Sequence, residues 1–195
     1  MITTVIFDLS EVLLSGAAGS EKLLEKRLSR KITDSELLIS EIDRLFTGEI
    51  SEDIYWQLVI EHNSWDITIS ELKKAIRQNF REIKGTRKII EGLKQKGYKL
   101  GLLSNHAKEW IIYCETNYKY QGLFHEVVYS YQAGFSKPHP NIFLFILKKL
   151  KVKPEECLFI DDHIKNIESA RRLGFNTIHF ISPEDLKRKL KELKI

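Results

Sequence analysis

Four polar clusters of this 195-residue chain hold side chains that are suited to phosphoryl transfer. A carboxylate can attack phosphorus, and a hydroxyl with adjacent backbone N–H groups can hold phosphate oxygens. A lysine can neutralise the charge on both, and paired carboxylates can bind a hard cation such as Mg²⁺. The clusters are Asp8 with Ser10, Ser104 with Asn105, Lys137, and Asp161 with Asp162.

The apolar segments before these clusters are predicted to be strands of one parallel sheet. They are almost continuously apolar, as expected of strands buried on both faces, and helical patterns separate them. This alternation predicts an α/β fold, a Rossmann-like parallel sheet of about five strands with helices on both faces. Ligand crevices in such sheets lie at the carboxyl ends of strands, where the clusters should meet. The predicted strands are residues 2–7, 99–103, 126–129, 157–160 and 177–180; the predicted helices are residues 88–96, 108–118, 140–150, 164–173 and 183–193.

Residues 16–83 are predicted to form a small all-helical cap, inserted after the first strand of a core made of residues 1–15 and 84–195. No convincing strand is seen between about residue 20 and residue 83, where aliphatic residues recur at helical spacing. Residues 16–19 (Gly-Ala-Ala-Gly) suit a hinge.

Several cap and core residues are expected to begin helices or to fill the interior. Trp56, Trp65 and Tyr55 are candidates for lining a crevice, but we expect them to pack inside the cap. The expected N-caps are Asp34, Ser51 and Ser182, and Ser70 is expected to start a further helix.

The order of the four clusters resembles the motifs of the haloacid dehalogenase (HAD) superfamily, and the resemblance covers the whole chain. The position of the insert, with the sequence of residues 47–51, is similar to the C1 cap of subfamily I. The resemblance implies a Mg²⁺-dependent phosphatase of a small phosphorylated metabolite, which forms an aspartyl phosphate on Asp8. It implies catalytic roles at Asp8, Ser10 and Lys137, and phosphate binding by Ser104, Asn105 and Lys137. The implied metal ligands are Asp8, the Ser10 carbonyl, Asp162, and Asp161 directly or through water.

Ser10 departs from the phosphatase pattern, because an aspartate usually stands there as general acid and base. A hydroxyl has no accessible pKa for that task, so turnover is expected to be slow. Two alternatives remain open: a catalytically degenerate module that binds phosphate or a protein, and a 2-haloacid dehalogenase. The dehalogenase would not need Asp161 and Asp162, so that pair argues against it. His106 could face the pocket, but we expect it to be merely exposed.

Composition and charge indicate which partners and which location to expect for the protein. The net charge of +4 is spread over scattered basic residues, so we expect no nucleic-acid partner. No apolar run approaches 18 residues and no basic leader opens the sequence, which predicts no membrane partner and a cytoplasmic location. Cys114 and Cys157 are expected to be buried thiols. A monomer and a homodimer are equally compatible with the sequence.

Overall fold

A computed structural model of the protein describes residues 1–16 and 21–195. Five strands form a parallel sheet in the order β5-β4-β1-β6-β7, which confirms the predicted fold class. Three segments followed by polar clusters, β4, β1 and β6, are therefore neighbours. The strands within the described residues are β1 Thr4–Phe7, β2 Leu14–Ser15, β3 Arg81–Glu82, β4 Lys99–Ser104, β5 Glu126–Tyr129, β6 Cys157–Asp161 and β7 Asn176–His179.

Helices cover both faces of this sheet, and helices α1 to α4 belong to the predicted cap. Within the described part of the chain, no helix combines the length and the apolar character that crossing a bilayer requires. The helices are α1 Glu21–Leu28, α2 Ile39–Thr47, α3 Glu52–Asn63, α4 Ile69–Asn79, α5 Thr86–Gln95, α6 Lys108–Tyr118, α7 Ser130–Ala133, α8 Pro140–Leu150, α9 Ile164–Arg172 and α10 Pro183–Glu192.

The central strands β1, β4 and β6 are mostly apolar, as expected of strands that are buried on both faces. On β1, Val5 and Phe7 pack into the cluster that contains α5, α6, α10 and the cap, whereas Ile6 packs into the cluster of α8 and α9. Gly101 lets α8 approach β4, since a Cβ there would lie 3.0 Å from the Leu150 side chain.

A short antiparallel ribbon joins the two ends of the predicted cap. β2 pairs with β3, with Leu14 opposite Glu82 and Ser15 opposite Arg81. The prediction of no strand between about residue 20 and residue 83 is therefore wrong at β3. Arg81 and Glu82 are both charged and show no alternating apolar pattern that would predict a strand. They form one because the backbone of β2 lies opposite them.

The predicted helix starts have mixed outcomes. Ser51 and Ser182 are confirmed as N-caps of α3 and α10. Ser70 lies inside α4, whose N-cap is Thr68 in a capping box with Glu71. Asp34 lies in a turn, and α2 begins five residues later, after Leu38 in the left-handed region (φ 47°). Of the predicted hinge, residues 17–19 lie outside the described residues.

Candidate active site

Asp8 leaves the sheet at the carboxyl end of β1 and is only 5% exposed. Its backbone N–H donates to the Ile160 carbonyl at 2.9 Å, which extends the pairing with β6 by one residue. Its Oδ1 accepts a hydrogen bond from the Leu9 N–H at 2.7 Å and lies 2.9 Å from Lys137 Nζ. The carboxylate is therefore fixed in place, and Oδ2 takes part in neither contact.

Lys137 reaches the same point from the loop between α7 and α8. Its Nζ lies 2.9 Å from Asp8 Oδ1 and 2.6 Å from Asp161 Oδ2, and its side chain is 1% exposed. Burial by itself lowers the pKa of Lys137, but the charges of Asp161 and Asp8 outweigh it and hold the pKa above its ordinary value. Lys137 is therefore a buried cation that bridges two carboxylates.

The carboxylate pair at the end of β6 consists of a fully buried residue and a partly exposed one. Asp161 accepts hydrogen bonds from Lys137 Nζ, from the His163 N–H at 2.8 Å and from Asn166 Nδ2 at 3.0 and 3.1 Å. Asn166 therefore orients Asp161 from the first turn of α9. Asp162, the next residue, retains partial access to solvent.

The acidic side chains of this cluster can hold a cation. Carboxylate oxygens of Asp8, Asp161 and Asp162 all lie within 4.8 Å of one another. Burial raises the pKa of Asp8 to about 7, with Lys137 opposing the shift and Asp161 adding to it. Burial and the charge of Asp161 also raise the pKa of Asp162. Three carboxylates share one ammonium, so a hard cation with oxygen ligands would balance the charge.

The two predicted phosphate-binding residues after β4 differ in how they are used. Ser104 is fully buried, and its Oγ has no hydrogen-bond partner among the described residues. Asn105 donates through Nδ2 to the Lys137 carbonyl at 2.8 Å and accepts the Lys137 N–H on Oδ1 at 2.7 Å. The Asn105 amide is thus engaged with the backbone of Lys137, a contact that the sequence did not indicate.

Ser10 lies in a tight loop directly after Asp8, where it is half-buried and pairs with Leu14. The next residue, Glu11, adopts a left-handed backbone conformation (φ 55°). The Glu11 carboxylate accepts the Gly16 N–H at 2.9 Å, so this side chain is engaged within the loop.

The expectation that His106 is exposed is wrong. It is 2% exposed and packs among Phe46 of α2, Phe80 and Trp110, with ring centroids 6.4, 5.8 and 5.6 Å away. Burial lowers the pKa of His106 to about 4, with the neighbouring Ala107 backbone opposing the shift. Phe46 and Phe80 cover this loop, and a sequence does not show which residues will cover a loop.

Trp56, Trp65 and Tyr55 are buried, which confirms the expectation that they pack in the interior. The chief residue that the sequence analysis missed is Glu52, at the start of α3. Glu52 is fully buried, accepts a hydrogen bond from Trp110 Nε1 at 2.8 Å, and pairs with Arg77 through both carboxylate oxygens at 2.8 and 2.7 Å. An acidic residue in a first helical turn is common, so no sequence signal distinguished it.

The cap also meets the loop that carries Lys137. Ser136 Oγ donates to Asp43 Oδ1 of α2 at 3.2 Å, and a pocket of about 470 Å³ lies between α2 and residues 134–139. A larger groove of about 770 Å³ lies between α5 and α10 and contains none of the residues of the four clusters. Cavity volume alone therefore does not identify the candidate active site, which is identified by the chemistry of its side chains.

Comparison with known proteins agrees with this arrangement. The family model for haloacid dehalogenase-like hydrolases matches residues 5–180, which include all four clusters. The chain belongs to the haloacid dehalogenase-like hydrolase family. This HAD-like chain is 28% identical to a D-ribitol-5-phosphate phosphatase of Bacteroides thetaiotaomicron over an alignment of 206 positions, gaps included, that covers 97% of each protein.

Two further HAD-like matches extend the comparison. A glyceraldehyde 3-phosphate phosphatase of Pyrococcus furiosus is 36% identical over 105 residues, which are 51% of this chain and 42% of the relative. A HAD family enzyme from Bacteroides thetaiotaomicron, in complex with magnesium and inorganic phosphate, superposes with a TM-score of 0.82 at 22% identity, over 97% of this chain and 99% of that one. The structural likeness therefore extends over nearly the whole chain, including the segment predicted to form a cap.

Proposed function

We propose that this HAD-like hydrolase is a Mg²⁺-dependent phosphatase that acts on a small phosphorylated metabolite through an aspartyl phosphate on Asp8. The observation that carries the proposal is one buried cluster in which Lys137 bridges Asp8 and Asp161, with Asp162 alongside. The polyol and triose phosphates named in two relatives support a substrate of this size.

The donor set fits a magnesium ion. Oxygens of Asp8 and Asp162 and the Ser10 carbonyl would hold it, with Asp161 coordinating directly or through water. When bound, Mg²⁺ supplies positive charge that stabilises the oxygens of the transferring phosphoryl group.

The protein's own residues supply the remaining chemistry. Asp8 Oδ2 attacks phosphorus, and the ester P–O bond breaks as the new O–P bond forms. The leaving alkoxide takes a proton from solvent, because Ser10 offers no acidic group. Water then attacks the aspartyl phosphate at phosphorus and gives up a proton, which releases inorganic phosphate and restores Asp8. Lys137 and the Ser104 hydroxyl hold phosphate oxygens in both steps.

The cap, proposed as residues 16–83, covers the proposed active site. Its contacts at His106, Trp110 and Ser136 support a role in excluding water and in contacting the part of the substrate that leaves.

Ser10 favours a second candidate, a module that binds phosphate or a partner protein without turnover. A 2-haloacid dehalogenase is less well supported, because hydrolysis at carbon has no need of the clustered Asp161 and Asp162.

A panel assay separates these candidates. Phosphate release from polyol, sugar and triose phosphates is measured with Mg²⁺ and with EDTA, and halide release from 2-chloropropionate is measured beside it. We expect Mg²⁺-stimulated phosphate release that Asp8→Asn abolishes. Halide release alone supports the dehalogenase, and Mg²⁺-dependent phosphate binding with no turnover supports the binding module.

A further inference from the structure

Lys137 belongs to a loop with no regular secondary structure, yet its ammonium must sit between two carboxylates. Two hydrogen bonds from Asn105 hold its backbone, at 2.8 Å to the carbonyl and 2.7 Å from the N–H. On the other side, Ser169 Oγ donates to the Pro138 carbonyl at 2.7 Å. The loop is therefore held by one side chain directly after β4 and by another from α9.

The two hydrogen bonds between the Asn105 side chain and the Lys137 backbone resemble those between two residues of a β-sheet, because each group donates one bond and accepts the other. They fix both the position and the orientation of the Lys137 backbone. A lysine side chain has four rotatable bonds, so a fixed backbone reduces the conformational entropy that is lost when the ammonium is held 2.9 Å from Asp8 and 2.6 Å from Asp161. The same two bonds engage the oxygen and one N–H of the Asn105 amide.

We propose that Asn105 is a positioning residue whose side chain places Lys137, and that its amide does not bind the transferred phosphoryl group. This inference rests on the proposed function for the identity of the ligand, inorganic phosphate. The phosphate binding predicted at Asn105 is then left to its backbone N–H, and the side chain acts through Lys137.

A double-mutant cycle tests the proposal through binding of inorganic phosphate in the presence of Mg²⁺, measured by titration calorimetry. Asn105→Ala is expected to weaken phosphate binding about tenfold, since two hydrogen bonds are lost. Lys137→Ala should weaken it further, and the double variant should match Lys137→Ala. Additive losses would mean that the Asn105 amide contacts phosphate by itself, which overturns the proposal.

Asn176→Ala is the matched control for general loosening of the fold. Asn176 likewise makes two hydrogen bonds to the backbone, donating through Nδ2 to the carbonyls of Glu155 and Cys157, but it lies at the amino end of β7. Equal weakening of phosphate binding in Asn176→Ala would overturn the proposal. If Asn105→Ala does not fold, Asn105→Gln keeps the amide and displaces it by one methylene, and the same cycle applies.

A crystal structure of the Asn105 variant gives a readout that needs no ligand. We expect Lys137 Nζ to leave its position between Asp8 and Asp161, and an unchanged position would overturn the proposal. Absence of turnover in the parent, by contrast, defeats the proposed phosphatase and leaves this structural test intact.

Discussion

Ser10 stands where proton transfer is needed, two residues after the carboxylate that we propose as the nucleophile. Formation of the aspartyl phosphate from an activated aryl phosphate needs little protonation of the leaving group, whereas its hydrolysis still needs help with the attacking water. The covalent intermediate should therefore accumulate with such a substrate. Ser10→Asp should raise steady-state turnover by at least roughly tenfold, and by up to about 10⁴-fold if the full effect of general acid–base help is restored.

Acid quench after mixing with an aryl phosphate measures the intermediate, and Asp8→Asn is the control that should show none. If the parent yields no trappable phosphoenzyme and Ser10→Asp has no phosphatase activity, the nucleophilic role of Asp8 fails. The binding module then becomes the better description.

Ser104 is expected to lower the stability of the folded chain, and its proposed role in phosphate binding explains its presence. Its Oγ is buried with no hydrogen-bond partner within residues 1–16 and 21–195. Ser104→Ala should therefore raise the free energy of unfolding by about 1 kcal/mol, since an unpaired buried polar group is removed. The same change should weaken inhibition by vanadate. Thermal melting and an inhibition assay measure the two effects, and a lower melting temperature with unchanged inhibition would contradict the prediction.

Glu52 connects two helices of the proposed cap, α3 and α4, to α6. Its carboxylate accepts from Trp110 of α6 and pairs with Arg77 of α4, so three helices meet at one buried charge. Glu52→Ala leaves Arg77 without its carboxylate partner and should cost about 3–5 kcal/mol, as for other buried pairs that lose one member. For a chain of this size that lowers Tm by roughly 10 °C.

Trp110→Phe removes only the indole donor and should cost less than Glu52→Ala, because Arg77 keeps its carboxylate partner. Glu192→Ala, which breaks an exposed pair with Arg188, should leave Tm almost unchanged. A small effect of Glu52→Ala in thermal melting would show that the cap is held mainly by its apolar contacts.

The elements that position the site were predictable because each of them is encoded locally. The apolar runs of β1, β4 and β6 end at polar clusters, and α6, α8 and β5 begin and end where the sequence places them. The topology rule for parallel sheets then brings three of the clusters to one edge.

The pairings that refine the site are not encoded locally. Asn105 and Lys137 are 32 residues apart, and Glu52 and Trp110 are 58 apart. Both contacts join segments far apart in the sequence and so depend on tertiary packing, and the burial of His106 against Phe46 and Phe80 has the same origin. The two-residue strand β3 is likewise formed by its partner and not by its own sequence.

The whole molecule concentrates negative charge in its proposed site although its net charge is +4. Asp8, Asp161 and Asp162 lie together with a single buried lysine. Functional sites often reduce stability in this way, because the groups that bind a ligand repel one another until it is bound. Mg²⁺ should therefore stabilise the folded chain, by about 2.7 kcal/mol at 100 times its Kd, which is roughly 5–10 °C in Tm.

Asp162→Asn separates the repulsion from the binding. Burial and the charge of Asp161 raise the pKa of Asp162. At pH 8 the carboxylate is ionised in both the folded and the unfolded chain. Its charge therefore disfavours folding at that pH. In EDTA the Asn variant should melt above the parent. With Mg²⁺ the order should reverse, because the variant lacks one carboxylate ligand. Melting curves of both proteins at pH 8 test this reversal, and an equal Mg²⁺ shift in the two would remove Asp162 from the metal site.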